Sequence, residues 1–485
     1  MNAMKNVSAL AIICLAALIA VPASAQEPDR SAPPPLGPTP SLKVNPMQKF
    51  TLSNGLPVIV YEKREVPIVQ VNLVIKAGSV DEPAAKLGLA GLTAAMMDEG
   101  AAGKTALQLS DEVDFLGTSL SVSGGLHTSG VSMRSTVSKF DASLALFADI
   151  LLRPDFPEPE LARLKKQYLT SLFQAYDRPQ AIAAAASGIY VFGKEHPYGR
   201  TSVGTEKSIG AVTVSDLRSF HSTYYRPNNA LLVIVGDVSA KEVVAKMESA
   251  LGGWEKGTAQ PAVVSSAKQV NGRTIYLVDK PEAAQSVIRI AKVGTVRNTP
   301  DYFPLLVMNT ILGGSFTSRL NQNLREKNGY AYGAGSGFGF RPSAGPFTAS
   351  SDVQTDATDK ALQEFMKELE GMSKPVSDEE LTKAKNYIAL GYPDNFSNVG
   401  SIAAQIAEMA LYGLPESYFN DYIANVMAVK KEDVRRVAKK YLDTDDLAII
   451  IVGDRAKVEK GLKGTRTGKI VNLVPTDVLG PVPSL

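Results

Sequence analysis

Apolar residues along this chain recur with a period of two or a helical period, and the two kinds of segment alternate. Residues 50–61 read as a hairpin: Phe-Thr-Leu-Ser, an Asn54-Gly55 turn, then Leu-Pro-Val-Ile-Val-Tyr. Asn-Gly is the strongest short hairpin signal because it accepts the positive φ angles of a tight turn. A strand at 69–77 ends at Gly78. Helical spacing predicts helices at 84–97 and 107–116, strands at 118–124 and 127–137, and a helix at 140–152. A long helix begins at Pro157 and runs to Tyr176. A shorter one at 213–224 has Ser215 as its candidate cap. Ala230-Leu-Leu-Val-Ile-Val-Gly236-Asp237 is apolar throughout, the mark of a buried strand. Further on, Leu312, Phe316, Leu320 and Leu324 fall at helical spacing and are expected to bury one face. Gly329 ends that helix, and a strand starts near Tyr332.

The pattern occurs twice. Asp216, Tyr224 and Gly236-Asp237 return as Asp433, Tyr441 and Gly453-Asp454, a constant spacing of 217 residues. Val71-Asn-Leu-Val resembles Val287-Ile-Arg-Ile, and Leu161 to Lys165 resembles Leu381 to Lys385. An internal duplication explains these recurrences. The reading is α+β: two homologous lobes, each an antiparallel-rich sheet covered by helices. The lobes are expected at 47–252 and 273–465, joined by a Gly-, Ala- and Ser-rich hinge at 253–272 and followed by a tail at 466–485.

Composition removes some function classes. A net charge of +2 over 485 residues, with no basic stripe, argues against nucleic acid as a partner. His127, His196 and His221 are too far apart in sequence for ligand spacing. Residues 1–25 read as a signal peptide: Lys5, an apolar run from Ala9 to Val21, and Ala23-Ser24-Ala25 as a cleavage site. The run is too short for a retained membrane span. Export to the periplasm is expected. The only cysteine, Cys14, lies inside this segment, so the mature chain is expected to have no disulfide. Residues 26–46 form a Pro-rich linker.

Candidate chemistry centres on Arg325 and Tyr332. A guanidinium near a helix end and a phenol just across the turn can bind a carbonyl or a developing oxyanion. On spacing alone, a helix-capping arginine and a half-buried tyrosine form the favoured reading. The surrounding wording is more specific. Ser318-Arg-Leu, Leu324-Arg-Glu-Lys and Ala331-Tyr332 occur in the second copy. Leu52-Ser-Asn-Gly-Leu-Pro-Val, Gly88-Leu-Ala, His196-Pro-Tyr-Gly-Arg and Tyr224-Tyr-Arg-Pro-Asn-Asn occur in the first. In this order the chain resembles the pitrilysin/insulinase family of zinc peptidases, the inverzincins, over nearly all of 47–460. The resemblance implies two lobes closing like a clam around a chamber that takes peptide substrates. It also implies that Arg325 and Tyr332 reach the substrate beside the zinc.

The chain departs from the family where the metal binds. Catalytic members carry His-x-x-Glu-His on the helix after Gly88-Leu-Ala, which puts two ligands and a general base on one helical face. Those positions are Gly91, Ala94 and Ala95 here. The family's further Glu ligand falls near Thr170-Ser171, with no carboxylate close by. A catalytic zinc needs about three protein ligands. No metal or other cofactor is therefore expected on this chain, and zinc is expected in a partner. Asp98 and Glu99 read as solvated helix-end charge. The glycines at 333, 335, 337 and 339 do not open a helix, so they fit a strand packed closely against a ligand or backbone better than a phosphate cradle. His196 and Trp254 read as structural. In the family, the strand corresponding to 118–124 accepts substrate as an added strand; an ordinary sheet strand is the equal alternative.

Two function classes follow. One is the non-catalytic subunit of a zinc metallopeptidase heterodimer, supplying Arg325 and Tyr332 in trans to an exported homologous chain that carries the inverted zinc motif. The other is an inert peptidase-like scaffold or peptide-binding protein. An unrelated hydrolase is weaker, since no Ser/His/Asp grouping with a nucleophile elbow is present.

Overall fold

The computed structural model describes residues 37–258 and 262–484. The signal-peptide segment 1–25 and the linker up to residue 36 lie outside them. Residues Pro40–Leu485 form one unit.

The duplicated pattern folds into two six-stranded sheets. The first contains β1 (Gln48–Thr51), β2 (Pro57–Glu62), β3 (Ile68–Ile75), β6 (Ser119–Gly124), β7 (Ser129–Thr136) and β8 (Ala230–Gly236), in the order β1-β2-β8-β3-β7-β6. A separate two-stranded ribbon pairs β4 (Gly100–Ala101) with β5 (Lys104–Thr105). The second sheet contains β9 (Arg273–Asp279), β10 (Gln285–Val293), β11 (Ala331–Phe338), β12 (Pro346–Gln354), β13 (Leu447–Gly453) and β14 (Lys469–Leu473), in the order β11-β12-β10-β13-β9-β14. Pairing is antiparallel except β2 with β8, β13 with β9 and β14 with β9. Read from opposite ends, the orders match at β2 with β9, β8 with β13, β3 with β10, β7 with β12 and β6 with β11. They differ at the edge, where β1 is antiparallel to β2 but β14 is parallel to β9. β8 and β13 stand 217 residues apart, as the repeat requires.

The continuous apolar strands explain how the sheets are covered. Side chains on a strand alternate between faces. On β8, Leu232 and Ile234 join the core under the first half's own helices, while Leu231, Val233 and Val235 face a second core. That second core includes Ile402, Ala403 and Ile406 of helix Val399–Leu411, which belongs to the second half of the chain. The exchange is reciprocal. Helix Pro179–Phe192, from the first half, packs Ile182, Ala183 and Ala186 on Val287, Ala291, Ile450 and Val452 of β10 and β13. Each sheet is thus capped by a helix of the other repeat. Fully burying one such aliphatic side chain is worth about 1.5–3 kcal/mol, so the halves are fastened by apolar contact on both sides.

Several sequence expectations change. The run Leu312 to Leu324 is not one helix. Helix Tyr302–Leu312 stops at Gly313-Gly314, and a new turn starts at Arg319. Gly313 is required there: a Cβ would lie 2.4 Å from the Ser336 backbone nitrogen, so the helix end rests directly on β11. Leu312, Leu320 and Leu324 are buried, but Phe316 between them is exposed. The 213–224 helix is capped by Thr213, whose hydroxyl accepts from the Asp216 N–H, and not by Ser215. Residues 466–485, expected as a tail, include β14 and helix Pro475–Leu479, and Val478 is buried against the exchanged helix. In the hinge, Trp254 and Val264 are buried. Ala262 N–H donates to Asp81, and the Val264 carbonyl accepts from Ser343. The end of the Pro-rich stretch is also docked, with Val44 N–H donating to Asn420 at 2.8 Å.

Candidate functional site

Arg325 sits in a π-helical turn, Gln322–Lys327, that follows the short helix Arg319–Asn321. Such turns widen a helix by one residue and often mark functional positions. Gly329 takes φ +63°, which only glycine adopts readily, and it turns the chain into β11. The ladder between β11 and β12 is then irregular between Ala331 and Ala334. A bulge of this kind re-aims the side chains within it, and Tyr332 lies inside it. Asn321 secures the corner by accepting from Ala334 N–H and donating to the Phe316 carbonyl.

The result is a surface cluster of three side chains. The Arg325 guanidinium lies 4.6 Å from the Phe316 ring centroid and 5.1 Å from the Tyr332 ring centroid. Its Nε stands 3.3 Å from Glu326. Tyr332 is 87% exposed and Phe316 is 61% exposed. A phenol this open is neither a core residue nor half-buried, and the arginine stacks between rings instead of capping carbonyls. Phe316 escapes a reading of the sequence because helical spacing assigns it to the core. The signal that exposes it is Gly313-Gly314, which breaks the helix first.

The helix with the family's metal positions, Leu89–Met96, packs on β6 in the other sheet. The contacts found for Arg325 and Tyr332 are all with second-half residues. Among the described residues, no ion pair or ring contact joins Arg325 or Tyr332 to Gly91, Ala94 or Ala95. Those three positions present one glycine and two methyl groups, and a Cβ at Gly91 would lie 3.3 Å from the Tyr168 hydroxyl. Tyr168 stands on helix Glu158–Ala175, two residues before Thr170, so a phenol faces the place where the family holds its metal. Thr170 donates back to the Lys166 carbonyl and, with Ser171, lines a groove beside Arg163 and Lys166. No carboxylate lines that groove. These residues do not fit a zinc ion.

Glu82 is a buried charge at the start of this helix, and nothing in the sequence singles it out. Its carboxylate accepts from Gly88 N–H at 2.9 Å and Ala90 N–H at 2.7 Å, holding the helix start. Burial pushes it up to about 7 despite those bonds. Glu99 pairs with Arg163, while Asp98 is exposed. His196 and Trp254 are structural. The His196 ring bonds the Ser265 carbonyl and receives Tyr198 N–H, and the Trp254 indole donates to the Tyr225 carbonyl. The glycine-bearing strand is β11, in backbone contact with Gly313.

Residues 58–187 match the family model described as insulinase, peptidase family M16, and residues 211–388 match the model described as the peptidase M16 inactive domain. Together these matches cover more than half of the chain. The chain belongs to the M16 peptidase family. Gly91, Ala94 and Ala95 fall in the first match, and Arg325 and Tyr332 fall in the M16 inactive domain. A solved peptidase M16 inactive domain from Pseudomonas fluorescens superposes with a TM-score of 0.79 at 29% identity, covering 84% of this chain and 98% of that one. An uncharacterized zinc protease of Rickettsia bellii is 26% identical over 82% of this chain and 96% of its own length. A non-peptidase homolog of Helicobacter pylori is 21% identical over 83% of this chain and 93% of its own. M16 membership accounts for the paired sheets, and among the described residues no helix is long and apolar enough to cross a membrane.

Proposed function

We propose that this M16 chain is a non-catalytic subunit of a heteromeric zinc peptidase, supplying Arg325 and Tyr332 to the active site of a zinc-bearing homologous partner. The observation that carries this reading is the Phe316–Arg325–Tyr332 cluster. It is open to solvent and set by a π turn and a bulge, whereas the chain's own metal positions hold no ligand. In peptide hydrolysis, negative charge develops on the scissile carbonyl oxygen. A phenol O–H and a guanidinium aimed at that oxygen stabilise the transition state more than the substrate. Neither has to change protonation state, so both can act in trans. The pattern of residues 1–25 supports assembly in the periplasm.

The scaffold reading has one observation in its favour. Among the described residues β6 pairs only with β7 and forms the edge of its sheet, a place where a peptide adds as a strand. Assembly separates the two readings. Mixed with an exported chain bearing His-x-x-Glu-His, this chain is expected to form a defined complex with peptidase activity well above either chain alone. Alone it is expected to hold no stoichiometric zinc by elemental analysis. A chain that binds peptides but never raises the partner's turnover is a scaffold.

A further inference from the structure

The second sheet has a face that is only partly covered, and a charged residue stands on it. On β10, Ile288 and Ile290 join the core under the second half's own helices, while Val287 and Ala291 face helix Pro179–Phe192. Arg289 lies between those last two, so it points to the same side as they do. On β12, Phe347, Ala349 and Val353 take the core side. Thr348, Ser350 and Asp352 are therefore on the side of Arg289, and all three are only partly buried. The register sets Arg289 opposite Ser350, Ser350 opposite Gly335, and Thr348 opposite Gly337.

Helix Pro179–Phe192 covers β10 and β13 and touches β12 through Gln180, whose amide donates to Asp352 at 2.9 Å. Past that contact the face opens. A Cβ at Gly337 would meet nothing within 4 Å, and one at Gly335 would meet only the Gly313 carbonyl. The alternating glycines of β11 thus leave a strip of sheet with no side chains on it, where another backbone can approach closely. None of these residues belongs to the Phe316–Arg325–Tyr332 cluster.

Arg289 is half-buried at the covered margin of this strip. Among the described residues its guanidinium has no ion pair, and burial lowers its pKa with no neighbouring charge to oppose it. The helix above it carries no charged residue. Asp352 is one rung along, opposite Val287, and is engaged with Gln180. A half-buried charge without a partner is costly, and a single negative charge offsets it. A carboxylate matches a guanidinium in charge and in its two-pronged geometry, whereas a phosphate dianion exceeds the one positive charge and is repelled by Asp352. We propose that this open face binds the side-chain carboxylate of an acidic residue in an extended peptide, with Arg289 as the anchor, Ser350 beside it, and Gly335 and Gly337 as the floor under the peptide backbone. The site lies within one chain and does not depend on a catalytic partner.

Calorimetric titration of the isolated mature chain tests it with four probes: a short end-blocked peptide with one central glutamate, the same peptide with glutamine there, the glutamine peptide with a free C-terminus, and inorganic phosphate. The glutamate peptide is expected to bind, and the glutamine peptide to bind roughly 10-fold to 100-fold more weakly, the loss of one charge-assisted bond. Arg289→Gln is expected to abolish the difference between those two peptides, with circular dichroism and thermal melting confirming the fold. Gly337→Val places a side chain in open space on a strand, so it is expected to fold and to weaken both peptides together. The proposal is overturned if the glutamate and glutamine peptides bind wild type equally, if Arg289→Gln keeps their difference, or if no glutamate peptide binds at millimolar concentration. It is likewise overturned if the free C-terminus or phosphate binds more tightly than the glutamate side chain. Should Arg289→Gln not fold, wild-type affinity in Gly337→Val overturns it.

Discussion

Ile182→Ala perturbs the junction between the halves at one of its driest points. Ile182 belongs by sequence to the first half, is fully buried, and packs on Val287, Ile450 and Val452 of the second sheet. Truncating a buried isoleucine costs about 2–5 kcal/mol, more where the surroundings cannot collapse into the space. The sheet on one side and Val478 of helix Pro475–Leu479 on the other restrict collapse, which places the expected loss in the upper half of that range. Whole domains are stable by only about 5–15 kcal/mol, so the loss is a large fraction of the total. Trp254 makes the assay clean. It is the only tryptophan, it is buried, and it reports on the first half's own core, which does not contain Ile182. Urea unfolding followed by Trp254 fluorescence and by far-UV circular dichroism is expected to give coincident transitions, both moved to lower urea in Ile182→Ala. If ellipticity falls in two steps and only the step without a fluorescence change moves, the helix exchange does not couple the halves, and the reasoning fails.

Three further outcomes follow from the same structure. Asp301 is buried, which alone would raise its pKa, but bonds from Tyr441, Arg436 and Lys440 outweigh burial and hold it at about 2. Its stabilising contribution is complete above the unfolded value near 3.8 and is lost as pH falls toward 2; acid denaturation of Asp301→Asn should show a shallower dependence over that window. Glu82 has the opposite sign: with its pKa raised from 4.5 to about 7, stability is lost as pH rises between those values, by on the order of 3 kcal/mol at most. Glu82→Gln should therefore remove that slope in melts taken at pH 5 and pH 8. Finally, a single proteolytic cut within 253–272 should leave both fragments co-eluting in size exclusion, because the exchanged helices fasten them; fragments that separate without denaturant would contradict the interlock.

The sheets are legible in the sequence because their strands are strongly patterned. β8 and β13 are continuous aliphatic runs ending in Gly-Asp, and their fixed spacing is enough to reveal the duplication. The helix exchange is not legible. Periodicity tells that helix Pro179–Phe192 has an apolar face, but not which sheet it covers, and its alanine-rich run does not stand out as an element. β14 escapes notice because Lys469-Ile-Val-Asn-Leu473 is short and follows a polar stretch. At the site, Arg325 and Tyr332 stand out through wording shared with a family. Phe316 is lost to the core when helical spacing is carried across Gly313-Gly314. Tyr168 facing Gly91 is a contact between distant segments, and a single chain of letters holds no signal for it.

The central claim is that Arg325 and Tyr332 act in trans, and one substitution addresses it most directly. Tyr332→Phe removes a single hydroxyl from a side chain that is 87% exposed, so folding and assembly should be unaffected. Losing one donor to a developing oxyanion typically lowers turnover by about 10²–10³-fold. In the complex with a zinc-bearing partner, the turnover of a peptide substrate is therefore expected to fall by about that factor, with complex formation unchanged by analytical ultracentrifugation. A Tyr332→Phe complex that assembles and cleaves at the wild-type rate would contradict the claim.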